Sequence, residues 1–124
     1  MSAHPKLGHL YSEAFLEFCR SLPCYGCAAP APSEAHHHPP KGMGGAHIDD
    51  TKTFPVCRIC HKRCHGEVVT VDGKRLPPVG QESQDRARAA TLRAFIERST
   101  PEQFNKVSED VLEWKTRPGA EAPR

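Results

Sequence analysis

Apolar side chains recur at helical intervals in three stretches of the chain, and each stretch carries its own stop or start signal. Leu10, Ala14, Phe15 and Phe18 predict one helix, with Cys19 on its apolar side as a small buried hydrophobe, and Pro23 ends it. Ser83 is a candidate cap for a second helix carrying Ala87, Leu92, Phe95 and Ile96. Thr100-Pro-Glu-Gln103 reads as a capping box with proline at the first helical position, opening a third helix with Phe104, Val107, Val111 and Trp114. The last two predict a helical hairpin over 82–116, which packs on the rest of the chain, dimerises or docks on a protein partner. Between these stretches, Val68–Val71, then Asp72-Gly73, then Lys74–Leu76 predict a short β-hairpin inside a linker spanning 67–81, closed by Pro77-Pro78. Residues 1–8 are expected to be a flexible N-terminus and 117–124 a disordered tail.

Composition narrows the picture. At 124 residues, with 37% hydrophobic content, 12 prolines and 9 glycines, the chain can build one small domain but not a large enzyme scaffold. So thin a core calls for a staple, either a metal or disulfides. No stretch approaches the ~20 apolar residues of a membrane span, and MSAHPKLGHL lacks the apolar core of a secretion signal, so a cytoplasmic protein without a membrane partner is expected.

The net charge of +2 is unevenly placed. Acidic and basic groups balance over 1–23, over 66–81 and over 82–124, so the whole excess lies in 24–65 (Lys41, Lys52, Arg58, Lys62 and Arg63 against Glu34, Asp49 and Asp50). That segment also holds five of the six cysteines and six of the eight histidines, which marks it as the functional core.

Cys24-Tyr-Gly-Cys27 and Cys57-Arg-Ile-Cys60 are two CxxC units. In each, the two-residue spacer lets a tight turn aim both thiolates at one ion, and four sulfurs form the closed tetrahedral set that structural zinc prefers. A redox pair or a disulfide scaffold would leave the second CxxC at knuckle spacing as coincidence. Of the remaining cysteines, Cys64 could substitute as a ligand.

His61 and His65, at i and i+4, share one helix face and can hold one cation. A run such as His36-His37-His38 is often an inert surface tract, but here it lies between the knuckles. On an extended strand neighbours alternate faces, so one histidine can ligate while the next faces substrate. Two helix histidines plus one from the strand make a three-point cation site with open positions, and a remaining histidine is a candidate base near neutral pH.

Leu22-Pro-Cys-Tyr-Gly-Cys27, Glu34-Ala-His-His-His-Pro-Pro-Lys-Gly-Met-Gly-Gly45, Asp49-Asp50 and Phe54-Pro-Val-Cys-Arg-Ile-Cys-His-Lys-Arg-Cys-His65 together resemble the HNH endonucleases, the zinc-knuckle branch of the ββα-metal nucleases. The resemblance covers 9–66 and is nearest to the small phage and prophage members. It implies an α+β fold: a zinc-stapled ββα-metal finger, with strands near 33–38 and 52–56 and a helix near 58–65. An N-terminal helix and the C-terminal helical hairpin flank it. It also implies a structural Zn2+ on Cys24, Cys27, Cys57 and Cys60, a catalytic divalent metal on His36, His61 and His65, and His37 as general base. Lys52 stands where many members carry an asparagine, so the support for His37 falls to Asp50, with His38 adjacent. Gly42, Gly44 and Gly45 fit the loop between the strands.

The function this implies is metal-dependent hydrolysis of DNA phosphodiester bonds. His37 would activate water while the cation stabilises the phosphate, and Arg58, Lys62, Arg63, Lys41 and Lys52 are candidate phosphate contacts. Imidazole ligands favour transition metals and magnesium favours oxygen, which leaves Mg2+, Mn2+, Ni2+ and Zn2+ as candidates. Two rivals keep the cysteines and lose the reaction: a non-catalytic zinc-ribbon module binding nucleic acid or protein, and a degenerate nuclease serving as an adaptor. The first leaves the histidine spacing without a purpose.

Overall fold

The computed structural model describes residues 8–38 and 48–116. The expectations for Lys41, for Gly42, Gly44 and Gly45 and for the tail 117–124, and nearly all of the flexible N-terminus, lie outside the described residues. The order of elements is α1 (Glu13–Arg20), β1 (Glu34–His37), β2 (Thr53–Val56), α2 (Arg58–Cys64), β3 (Val69–Val71), β4 (Lys74–Leu76), α3 (Gln81–Arg98) and α4 (Pro101–Thr116). The protein is α+β, with four helices and two separate antiparallel strand pairs, β1–β2 and β3–β4.

Strand β2 is buried along its whole length, so the β1–β2 ladder is anchored from one side. Its register places His36 opposite Phe54 and His37 opposite Thr53. Helix α2 follows at once because Cys57 caps it, its sulfur accepting from the Cys60 amide at 3.4 Å. The β3–β4 hairpin turns at Asp72-Gly73, where φ values of 51° and 80° are the left-handed pair that a two-residue turn demands.

Two apolar clusters lie side by side. Cys24, Phe54, Val56, Cys60 and Cys64 pack with Ala87 beneath the β-hairpin, and Phe15 and Phe18 of α1 pack with Ala94, Phe95 and Val107. Helix α3 serves both. Phe95 is the pivot of the second cluster, with ring centroids 5.1 Å from Phe15 and 5.1 Å from Phe18.

Three expectations about the helices change. Leu10 precedes α1 and forms a parallel bridge with Asp49, while Ser12 caps the helix through the Phe15 amide. Ser83 is not a cap, because α3 opens at Gln81 after Gly80, and the Ser83 hydroxyl accepts from Arg86 instead. The buried stripe of α3 is Gln84, Ala87, Thr91, Ala94 and Phe95, which leaves Leu92 and Ile96 exposed. The capping box at Thr100 forms as expected, with Thr100 N–H to Gln103 Oε1 at 2.8 Å and Gln103 N–H to Thr100 Oγ1 at 3.0 Å. Both C-terminal helices pack on α1, and Phe104 stacks on Phe95 at 6.1 Å. Leu92, Ile96, Phe104 and Leu112 border an open apolar groove of about 440 Å3. Among the described residues no helix is long and apolar enough to cross a membrane.

Candidate metal centres

The four knuckle sulfurs converge: one ligand atom from each of Cys24, Cys27, Cys57 and Cys60 lies within 4.8 Å of the others. The first turn is built from backbone. Cys24 N–H donates to Ala29 O, Ala28 N–H to Cys24 O, and Tyr25 N–H to Pro55 O, which ties the turn to β2. Gly26 sits against the sulfurs, and a Cβ there would meet Cys60 Sγ at 2.9 Å. Burial acts to raise the Cys24 thiol, but the backbone amides of Cys57, Cys27 and Gly26 outweigh it and bring the group down to about 7. Cys27 and Cys57 sulfurs lie 3.6 Å apart, close to the ~3.8 Å edge of a tetrahedron with 2.3 Å metal–sulfur bonds. This cluster is placed to hold a structural metal ion. Cys64 stands apart, buried behind the set, with burial pushing its thiol up to about 11.

A second cluster forms where β1 meets α2, on the face of the strand pair that His36 shares with Phe54. Ligand atoms of His36, His61 and His65 also fall within 4.8 Å of one another, with ring centroids 4.9–5.0 Å apart. The pair His61 and His65, on one face by their i, i+4 spacing, stacks at 29°, and His36 stands nearly perpendicular to both. Burial lowers the pKa of His36 to about 4, and the neighbouring His61 and His65 push the same way against the Gln84 hydrogen bond. The ring is therefore neutral near pH 7, the form in which imidazole ligates.

His36, His37, His38 and His61 are each held by a different outer partner. His61 Nδ1 donates to Glu34 Oε1 at 2.7 Å, which leaves Nε2 as its free nitrogen; Glu34 also meets Arg58 at 3.5 Å. His37 lies on the opposite face of β1 from His36, and its Nε2 donates to Asp50 Oδ1 at 2.8 Å. The second Asp50 oxygen accepts the Ser12 amide at 2.8 Å, and the Ser12 hydroxyl donates to Asp110 of α4 at 2.7 Å. His38 points elsewhere, donating to Asp85 at 2.9 Å.

His36, His37, His61 and His65 line one cleft of about 440 Å3 together with Leu16, Ala35 and Arg20. Arg20 has no counterpart in the sequence reading. It is a half-exposed cation paired with Glu13 at 2.7 Å, and its only sequence signal was a basic residue in the last turn of α1. Of the basic residues singled out, Arg58 is largely exposed beside Glu34, and Lys62 and Lys52 are exposed. Arg63 is corrected: its guanidinium donates to Pro77 O at 2.7 Å and lies 4.0 Å from Cys60 Sγ, which turns it toward the cysteine cluster and away from the cleft.

Gln84 and Asp110 were also missed. Gln84 carries no signal except its place on the buried stripe of α3, and Asp110 reads as one more solvated acid.

A family model described as a protein of unknown function, DUF968, matches residues 1–75, a stretch that contains both cysteine pairs and all four cleft histidines. No curated protein and no solved structure matches the chain. With more than half of its 124 residues inside the family match, the chain belongs to the DUF968 family.

Proposed function

We propose that this protein is a metal-dependent endonuclease of the HNH type that hydrolyses DNA phosphodiester bonds. The observation that carries the reading is the cleft itself, in which three imidazoles close enough to share one cation stand beside a fourth held by a carboxylate. A purely structural metal site has no use for the fourth.

The residues divide the work as follows. Four converging thiols fit a structural Zn2+. His36, His61 and His65 would hold one divalent cation, for which the donor set favours a transition metal while Mg2+ remains a candidate. When bound, that ion supplies positive charge to the scissile phosphate and the departing oxygen. Because Asp50 can only accept, His37 carries its proton on Nε2, and its Nδ1 is the nitrogen that takes a proton from water. Asp50 in turn stabilises the imidazolium that forms. Arg20, which lines the same cleft, would neutralise a phosphate oxygen, with exposed Arg58 and Lys62 outside it.

The test is cleavage of plasmid DNA by protein stripped of its ion and re-supplied with Mg2+, Mn2+, Ni2+ or Zn2+, wild type beside His37→Ala, with retained zinc counted in both. Ion-dependent nicking lost in the variant, with about one zinc retained per chain, is expected. Cleavage by neither protein with any ion would favour the non-catalytic zinc-ribbon module.

A further inference from the structure

The side chain of Gln84 is almost wholly buried and reaches from α3 into the ββα unit. Its Nε2 donates to Cys64 O at 3.1 Å and to Val79 O at 3.0 Å. Carbonyl oxygens accept only, so these two bonds decide which end of the amide points where. The Oε1 end then lies 3.0 Å from His36 Nε2. An amide oxygen also accepts only, so His36 carries its proton on Nε2 and keeps its lone pair on Nδ1. On its other side the His36 ring meets Phe54 edge to face at 5.2 Å, which holds the ring plane. Gln84 itself does not line the cleft of the four histidines, so the hydrogen-bonded edge of His36 is turned from the cleft.

We propose that Gln84 is a positioning residue that fixes the tautomer and ring orientation of His36, so that Nδ1 is the nitrogen presented to the cation. The proposal rests on the reading that the histidine triad holds an ion. Ligating histidines are commonly oriented by a hydrogen bond at the far nitrogen, and here two of the ligands are held in opposite senses. His61 is backed by a carboxylate through Nδ1 and offers Nε2, whereas His36 is backed by a neutral amide through Nε2 and offers Nδ1. The amide is itself locked by the last carbonyl of α2, so the ligand on β1 and the ligands on α2 are held in one frame by a residue of α3. That residue lies beyond the 1–75 span of the family match, so the match holds the ligands and leaves out this support.

The experiment follows the imidazole nitrogens by 15N NMR, using full-length protein with zinc in its cysteine site, before and after a further equivalent of Zn2+. In wild type the His36 Nε2 proton should be visible without the added ion and persist after it, with the ion-induced shift at Nδ1. In Gln84→Met, of similar volume and without the amide, that proton signal should vanish and affinity for the second ion should fall about ten- to a hundredfold. Zinc content at the cysteines should stay unchanged. A shift at Nε2 of His36 in wild type, or unaltered affinity in Gln84→Met, overturns the proposal while leaving the triad reading intact. If none of the three histidines shifts with Zn2+ in wild type, the triad reading fails and the proposal falls with it. The wild-type spectra decide the matter even if Gln84→Met does not fold.

Discussion

Gly26→Ala isolates the geometry of the cysteine cluster with a single methyl group. The added Cβ would sit 2.9 Å from Cys60 Sγ and 3.4 Å from Cys60 Cβ, with Cys24 Sγ in ordinary contact at 3.8 Å, so the clash falls on one of the four ligands. No left-handed φ is involved at this position, which makes the penalty one of space alone. Cys60 cannot simply rotate away, because its sulfur must stay on the ion and it is buried against Phe54 and Val56. Overpacking by a methyl in a tight site costs about 1–3 kcal/mol, and the penalty weighs most on the bound state, in which the ion also fixes the sulfur. Zinc affinity should therefore fall about 5- to 150-fold, measured by competition with a chromophoric chelator. Ala28→Gly is the contrasting variant: Ala28 sits at φ 64°, where a left-handed alanine costs about 1–2 kcal/mol, so it should bind zinc at least as tightly as wild type. Unchanged zinc affinity in Gly26→Ala would refute the placement of the glycine against the sulfurs and, with it, the geometry of the first knuckle.

Three further outcomes are expected. Phe95→Ala removes the ring shared by Phe15 and Phe18 and should lower unfolding stability by about 3–5 kcal/mol in urea titration, whereas a loss below 1 kcal/mol would mean that α3 is not the pivot of the second cluster. Asp50→Asn should reduce DNA cleavage by about a hundredfold or more without weakening ion binding to the triad, and full activity would remove Asp50 from the mechanism. Burial pushes the Cys19 thiol up to about 11, against the hydrogen bond from Thr53 and the charge of Arg20. The unfolded chain thus gives up this proton first as pH rises. The contribution is whole below pH 9 and is lost between about 9 and 11; urea titrations should show a steeper decline in wild type than in Cys19→Ala, where the buried Cys64 thiol still contributes over the same range.

The parts of the structure legible in the sequence are those whose partners are close along the chain. The CxxC turns, the i, i+4 pair His61 and His65, the alternation of His36 and His37, and the Thr100 capping box each state their geometry within five residues. Asp50 was reached through a resemblance and not through spacing. The residues that escaped act across long separations: Gln84 lies 48 positions from His36, and Asp110 lies 98 from Ser12. Gln84 and Thr91 also disguised the stripe of α3, because two polar members made the buried face look solvated while Leu92 and Ile96 looked like core. Thr91 satisfies itself on Ala87 O and Gln84 on three partners, which is how a buried stripe can be polar and still stable. Arg63 failed for a simpler reason. Two positions after His61 it lies on a different helix face, so interleaving with the ligands turned it away from them.

The shared use of α3 bears on the order in which the two centres ripen as the chain is made. All four cysteine ligands have been synthesised by residue 60, whereas Gln84 comes 24 residues later and Asp110 50 residues later. At ribosomal speeds of about 5–20 residues per second, that interval is on the order of seconds, long compared with the microseconds in which hairpins and helices form. A nascent chain can therefore close its cysteine clasp while the cleft beside it still lacks the amide behind His36 and the aspartate behind Ser12. The ligands of the clasp are made first and the supports of the cleft afterwards, a temporal order written into the spacing of the residues.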